Sequence, residues 1–165
     1  MQSKLISRRV FNKAAFLGLL ASYDLGAVLA AEPESIFLDV YKDESCGCCG
    51  GWIEHIESNS FKTLVHHPAN LSVVKQRLGI PPRLQSCHTS VSKQGFVFEG
   101  HIPARYIQQF LAAPPKDALG LAVPGMPMGS PGMDMGDRFD PYTIVLMKKD
   151  GSLEEFVRVE SKAQQ

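Results

Sequence analysis

Three of the chain's four cysteines, Cys46, Cys48 and Cys49, fall within four positions of the segment ESCGCCGGWIEHIE. Before them, SIFLDVYK alternates Ile36, Leu38 and Val40 with Phe37, Asp39 and Tyr41, the pattern of a strand with one strongly apolar face. After them, Trp52, Ile53 and Ile56 share a helical face while Glu54, His55 and Glu57 lie elsewhere. The order is strand, cysteine loop, helix. It puts the thiols where unpaired backbone N–H groups and the helix dipole favour thiolate.

The remaining chain alternates in the same way. FKTLVHH reads as a second strand, stopped by Pro68, with Asn70 as N-cap of a helix through Leu71, Val74 and Leu78 that Gly79 closes. SCHTSVS and GFVFEG form a hairpin around Lys93 to Gly95, and Pro103 suits the first turn of a helix carrying Tyr106, Ile107, Phe110 and Leu111. Residues Gly120 to Asp140 are dense in Gly, Pro and Met, which excludes a regular helix or central strand and predicts a long loop. YTIVLMK and LEEFVRV around KDG make a terminal hairpin. These elements predict an α/β fold, a thioredoxin-like mixed sheet flanked by helices with a long Met/Gly/Pro loop.

The first thirty residues stand apart. SRRVFNK precedes an apolar stretch from Ala14 to Ala30, and VLAAEPE offers small residues for signal cleavage. This predicts a twin-arginine-like signal peptide over 1–30, export to the periplasm, and a metal-binding domain over 31–165. Asp24 and the shortness of the apolar run disfavour a permanent membrane anchor, so the membrane is met only through the export signal. The full chain balances 17 basic against 17 acidic residues; loss of Lys4, Arg8, Arg9, Lys13 and Asp24 leaves a formal charge of −3. A mildly acidic surface gives no reason to expect nucleic acid as partner.

In an oxidising compartment four cysteines usually pair, yet the spacing is wrong for a simple framework. Only Cys46 and Cys49, a C-x-x-C pair, have familiar disulfide geometry, because closing Cys48 on either neighbour makes a very small ring. A dithiol enzyme needs two sulfurs, whereas C-x-C-C supplies three convergent donors. Cys87 adds a fourth. His88 beside it shares the site only if the backbone bends or the pair sits at a strand end, since adjacent strand residues point to opposite faces. For the C-x-C-C motif the plainer arrangement is one disulfide plus one buried free thiol; for Cys87 and His88 it is a buried thiol beside a surface imidazole.

Met126, Met128, Met133 and Met135 are four of the six methionines, all beside Gly or Pro. They can fill gaps over a core edge. Thioether with thiolate is also the soft donor set that selects Cu(I). His101, between a strand and a helix, is a further candidate ligand; His66 and His67 read as loop residues and His55 as solvent-facing. There is no phosphate-cradling glycine motif, no H-E-x-x-H and no serine-nucleophile constellation.

Together CGCCGGWIEH, LQSCHTSV, EGHIPA and GLAVPGMPMGSPGM resemble the DUF411 family, which includes a periplasmic copper-resistance protein. The resemblance runs from the first strand to the end of the Met loop. It implies a thioredoxin-like fold, export, and a copper site from Cys46, Cys48, Cys49 and Cys87, with His88, His101, Met126, Met133 or their loop neighbours as further ligands.

The expected function is that of an exported copper-binding protein of copper resistance, with copper ions as its cargo and other periplasmic copper-handling proteins as partners. Four thiolates shared among several Cu(I) ions offset their mutual repulsion, under a Met-loop cap, and a Cu(I)/Cu(II) redox role follows from copper's chemistry. Two alternatives stay open: a thiol-disulfide oxidoreductase using Cys46 and Cys49, and a chaperone for single copper ions.

Overall fold

The structure, a computed structural model, describes residues 35–165, so the expected signal peptide over 1–30 lies outside the described residues. Seven strands form one mixed sheet: β1 (Ile36–Lys42), β2 (Phe61–His66), β3 (His88–Ser92), β4 (Val97–Glu99), β5 (Ala118–Ala122), β6 (Tyr142–Lys148) and β7 (Leu153–Val159). Their order is β2-β1-β3-β4-β5-β6-β7. The helices are α1 (Gly47–Glu57), α2 (Leu71–Arg77) and α3 (Ala104–Ala112). Among the described residues no helix is long and apolar enough to cross a membrane.

β1 and β2 pair in parallel across α1, while β3 pairs antiparallel with β1 and with β4. The order β2-β1-β3-β4, with α3 following, is compatible with the thioredoxin-like expectation. β5 then adds parallel to β4, and the β6–β7 hairpin extends the sheet antiparallel.

Side-chain alternation along the strands separates two apolar clusters. Phe98, Leu121, Ile144 and Leu146 join Leu38 and Val40 of β1, Trp52 and Ile56 of α1 and Ile107 and Phe110 of α3 in the main core. Their neighbours Val97, Ala122 and Met147 pack on the other face with Ile80 and Leu84. One sheet therefore has apolar cover on both faces, and α1 is pressed against it by a wholly buried Trp52. The indole leaves no unpaired donor, because Nε1–H bonds the Ile102 carbonyl at 2.9 Å.

The expected Asn70 cap is present, its side chain accepting Val73 N–H at 3.2 Å. The Met-rich segment departs from expectation at its start. Residues 120–122 belong to β5, a strand between β4 and β6, although Gly120 reads as a loop residue. The glycine is there because a Cβ would lie 1.7 Å from the Val97 carbonyl oxygen of β4. It marks close backbone approach at an irregularity in the β5–β6 register, not the end of the sheet. The remainder, through Asp140, is built of turns and has no regular helix.

Candidate metal centre

The cysteine motif lies closer to the helix than the sequence pattern implies. Cys46 is the N-cap of α1 and makes no side-chain capping bond; Cys48 and Cys49 are already in the first turn. The N-cap side chain takes none of the first helical N–H groups, and the positive end of the helix dipole lies at the cysteine motif.

Cys46 and Cys49 form a disulfide, while Cys48 and Cys87 are free. Cys48 Sγ lies 3.6 Å from Cys46 Sγ and 3.9 Å from Cys87 Sγ. All four sulfurs fall within 4.8 Å of one another, a spacing that could hold metal. Cys49 is buried and the other three are half-buried. Gly47 and Gly50, either side of Cys48 and Cys49, have open space where a side chain would project.

Cys87 immediately precedes β3, and this position at the strand end lets Cys87 and His88 serve one site. Cys87 Sγ is 3.4 Å from His88 Nδ1 and 3.0 Å from His101 Nε2. The plainer arrangement, with a surface imidazole, is overturned: His88 is wholly buried against the Trp52 ring, with centroids 4.3 Å apart. Its Nε2 is the buried side-chain nitrogen or oxygen left without a partner among the described residues. Burial holds the His88 pKa well below the ordinary histidine value, and the neighbouring His101 adds to this. Burial also lowers the pKa of His101, against the opposing effect of its bond to Pro131. The Cys87 thiol is pushed up to about 12 by burial and by the nearby Cys48.

The Met loop reaches this site through its backbone. Its Pro131 carbonyl accepts a hydrogen bond from His101 Nδ1–H at 2.7 Å. Gly132 sits on the first turns of α1, so close that a Cβ there would lie 2.4 Å from the Cys48 carbonyl oxygen. The loop thus covers the cysteine helix. Its methionines are not equivalent: Met126 and Met135 are exposed, while Met128 and Met133 are half-buried.

Two histidines lie elsewhere than expected. His55 is half-buried, not solvent-facing, and its Nε2 accepts Ala104 N–H at 3.0 Å, capping α3. His66 ends β2, as the FKTLVHH strand reading places it and against the loop reading, with Nε2 2.7 Å from Asp39 Oδ1 and its ring stacked on Tyr41.

Sequence reasoning missed Lys75 and Glu99. Both are buried, and they pair with each other. Glu99 Oε1 accepts Ser86 N–H at 2.5 Å, and its other oxygen accepts the Thr89 hydroxyl. Lys75 Nζ donates to Thr89 Oγ1 at 2.9 Å. Ser86 and Thr89 bracket Cys87 and His88, so one buried carboxylate fixes the strand entry that carries them. A lysine at a core-facing helical position, followed by a glutamate ending an apolar strand, was the available signal.

The family described as "Protein of unknown function, DUF411" matches residues 84–133, which include Cys87, His88, His101 and most of the Met loop. Among solved structures, copper resistance protein copG in its form 2 is 44% identical, with a TM-score of 0.73, over 77% of this chain and 100% of that one. Form 1 is also 44% identical, with a TM-score of 0.72, over 78% of this chain and 100% of that one. No curated protein matches the chain.

Proposed function

The chain belongs to the DUF411 family, and from that membership and its cysteine geometry we propose that it is an exported copper-binding protein of copper resistance. The observation that carries this reading is the convergence of Cys46, Cys48, Cys49 and Cys87 within 4.8 Å at a helix N-terminus. Copper is also supported by the neighbouring donors, two buried imidazoles and a methionine loop, which with thiolate form a soft ligand set.

In the fully reduced chain the four thiolates would hold several bridged Cu(I) ions, with His88 and His101 at the margin. Met133, adjacent to the glycine seated on α1, and Met128 are the inner candidates for a thioether cap; Met126 and Met135 are the outer ones. The pocket suits this cargo because the helix N-terminus and the Cu(I) ions themselves would offset the negative charge of the thiolates. With the Cys46–Cys49 disulfide closed, only Cys48 and Cys87 remain as thiol ligands, so copper capacity rises on reduction. Alternation of copper between its two oxidation states in the periplasm, and exchange with other copper-handling proteins there, complete the reading.

Cys48 is superfluous to a C-x-x-C dithiol and central to a cluster, so Cys48→Ala tests the proposal. The expected result is fewer Cu(I) ions held per reduced chain; unchanged stoichiometry would contradict the bridged site. The disulfide itself favours a second reading, a thiol-disulfide oxidoreductase acting through Cys46 and Cys49. That reading expects disulfide-exchange activity that survives removal of Cys48 and Cys87.

A further inference from the structure

The closed Cys46–Cys49 bond leaves a question about the two sulfurs outside it. Cys48 and Cys87 are separated by 39 residues of sequence, yet their sulfurs lie 3.9 Å apart. A disulfide bond is about 2.05 Å long, so closing this pair requires a shift of roughly 2 Å. The surroundings allow it: Cys48 is half-buried in the first helical turn, and Gly47 and Gly50 beside it face open space. Exchange of Cys48 with its nearer neighbour Cys46 would close a very small ring between near-adjacent residues, whereas a bond to Cys87 closes a long loop without that strain.

We propose that Cys48 and Cys87 are a second redox pair, and that cupric ion is the oxidant they reduce. Two Cu(II) ions take one electron each, the two thiols lose their protons to water, and the Cys48–Cys87 sulfur–sulfur bond forms as two Cu(I) ions are produced. Nothing else is consumed. Starting with Cys46–Cys49 already closed, the chain supplies two electrons in this step; starting fully reduced, it supplies four, two from each pair.

The chemistry suits the position. Soft sulfur stabilises Cu(I) over Cu(II), so binding of a cupric ion between these two thiols favours its reduction. His101 Nε2, 3.0 Å from Cys87 Sγ, adds a buried nitrogen donor beside the pair. The inference deepens the copper reading of this site and rests on it.

The test uses the full chain with Cys46–Cys49 closed and Cys48 and Cys87 free. Cupric sulfate is added without oxygen, Cu(I) is counted with a colour-forming chelator, and cross-linked peptides are identified by mass spectrometry. About two Cu(I) per chain should appear with a Cys48–Cys87 linked peptide, and Cys48→Ser and Cys87→Ser should each abolish the linked peptide and most of the Cu(I). Copper bound with both thiols intact and no Cu(I) formed would overturn the redox pair while leaving copper binding in place. Cu(I) formed without the linked peptide would also overturn it. A chain that, reduced or not, binds neither ion would overturn the copper reading itself.

Discussion

His101 Nε2 lies 3.0 Å from Cys87 Sγ because the other ring nitrogen is engaged by the Met loop. The Pro131 carbonyl can only accept, so Nδ1 carries the proton in the neutral ring and the Nε2 lone pair faces the sulfur. A backbone carbonyl from a loop 30 residues away thereby fixes which histidine nitrogen can serve as a ligand.

The metal-free chain should lose stability in mild acid. Burial lowers the pKa of His88, His101 and His55 below the ordinary 6.5. Each then binds fewer protons folded than unfolded over the window below 6.5, so stability is full above that pH and falls as the pH drops through it. Thermal unfolding across this range should show a falling Tm on acidification, with a shallower fall in His88→Gln. An identical acid dependence in that variant would contradict the assignment.

The Lys75–Glu99 pair should behave differently when broken than when replaced. Glu99→Leu alone strands a buried lysine and should cost about 3–5 kcal/mol, whereas Lys75→Met with Glu99→Leu should recover much of that loss in denaturant titration, short of the parent because the buried Thr89 hydroxyl loses both partners. The double variant still loses the acceptor for Ser86 N–H, so Cu(I) competition should show weaker retention despite the recovered stability. Parent-like copper retention would mean that the pair does not position Cys87.

Much of this fold is legible in short-range pattern. Strand β1, the Asn70 cap, the hairpin turning at Gly95, the apolar stripe of α3 and the terminal hairpin each follow from residues within about a dozen positions. What is hidden depends on distant partners. Gly120 reads as loop because nothing local reveals that Val97 passes too close for a side chain. His55 reads as solvent-facing until α3 arrives to be capped, and the partner that buries Lys75 is Glu99, 24 residues on. Of the site, the cysteines announce themselves by spacing, whereas the burial of His88 depends on Trp52 of another element.

Docking of the Met loop can be tested with two alanines. Gly132 and Gly136 both adopt positive φ, 81° and 66°, but only Gly132 is crowded, by Cys48 and Trp52 backbone atoms. Gly136→Ala should cost about 1 kcal/mol from backbone strain alone. Gly132→Ala should cost about 2–4 kcal/mol more in chemical denaturation, because the backbone it meets cannot yield without moving the loop. It should also weaken copper retention selectively if the loop caps the site. Equal effects of the two substitutions would contradict the docking.

The most direct measurement is the Cu(I) stoichiometry of the fully reduced chain, by anaerobic competition against a coloured chelator. More than one tightly held copper per chain is expected from four thiolates converging within 4.8 Å. A single copper would contradict the bridged cluster in favour of a one-ion carrier, and no bound copper would contradict the metal site altogether and return Cys46 and Cys49 to disulfide exchange.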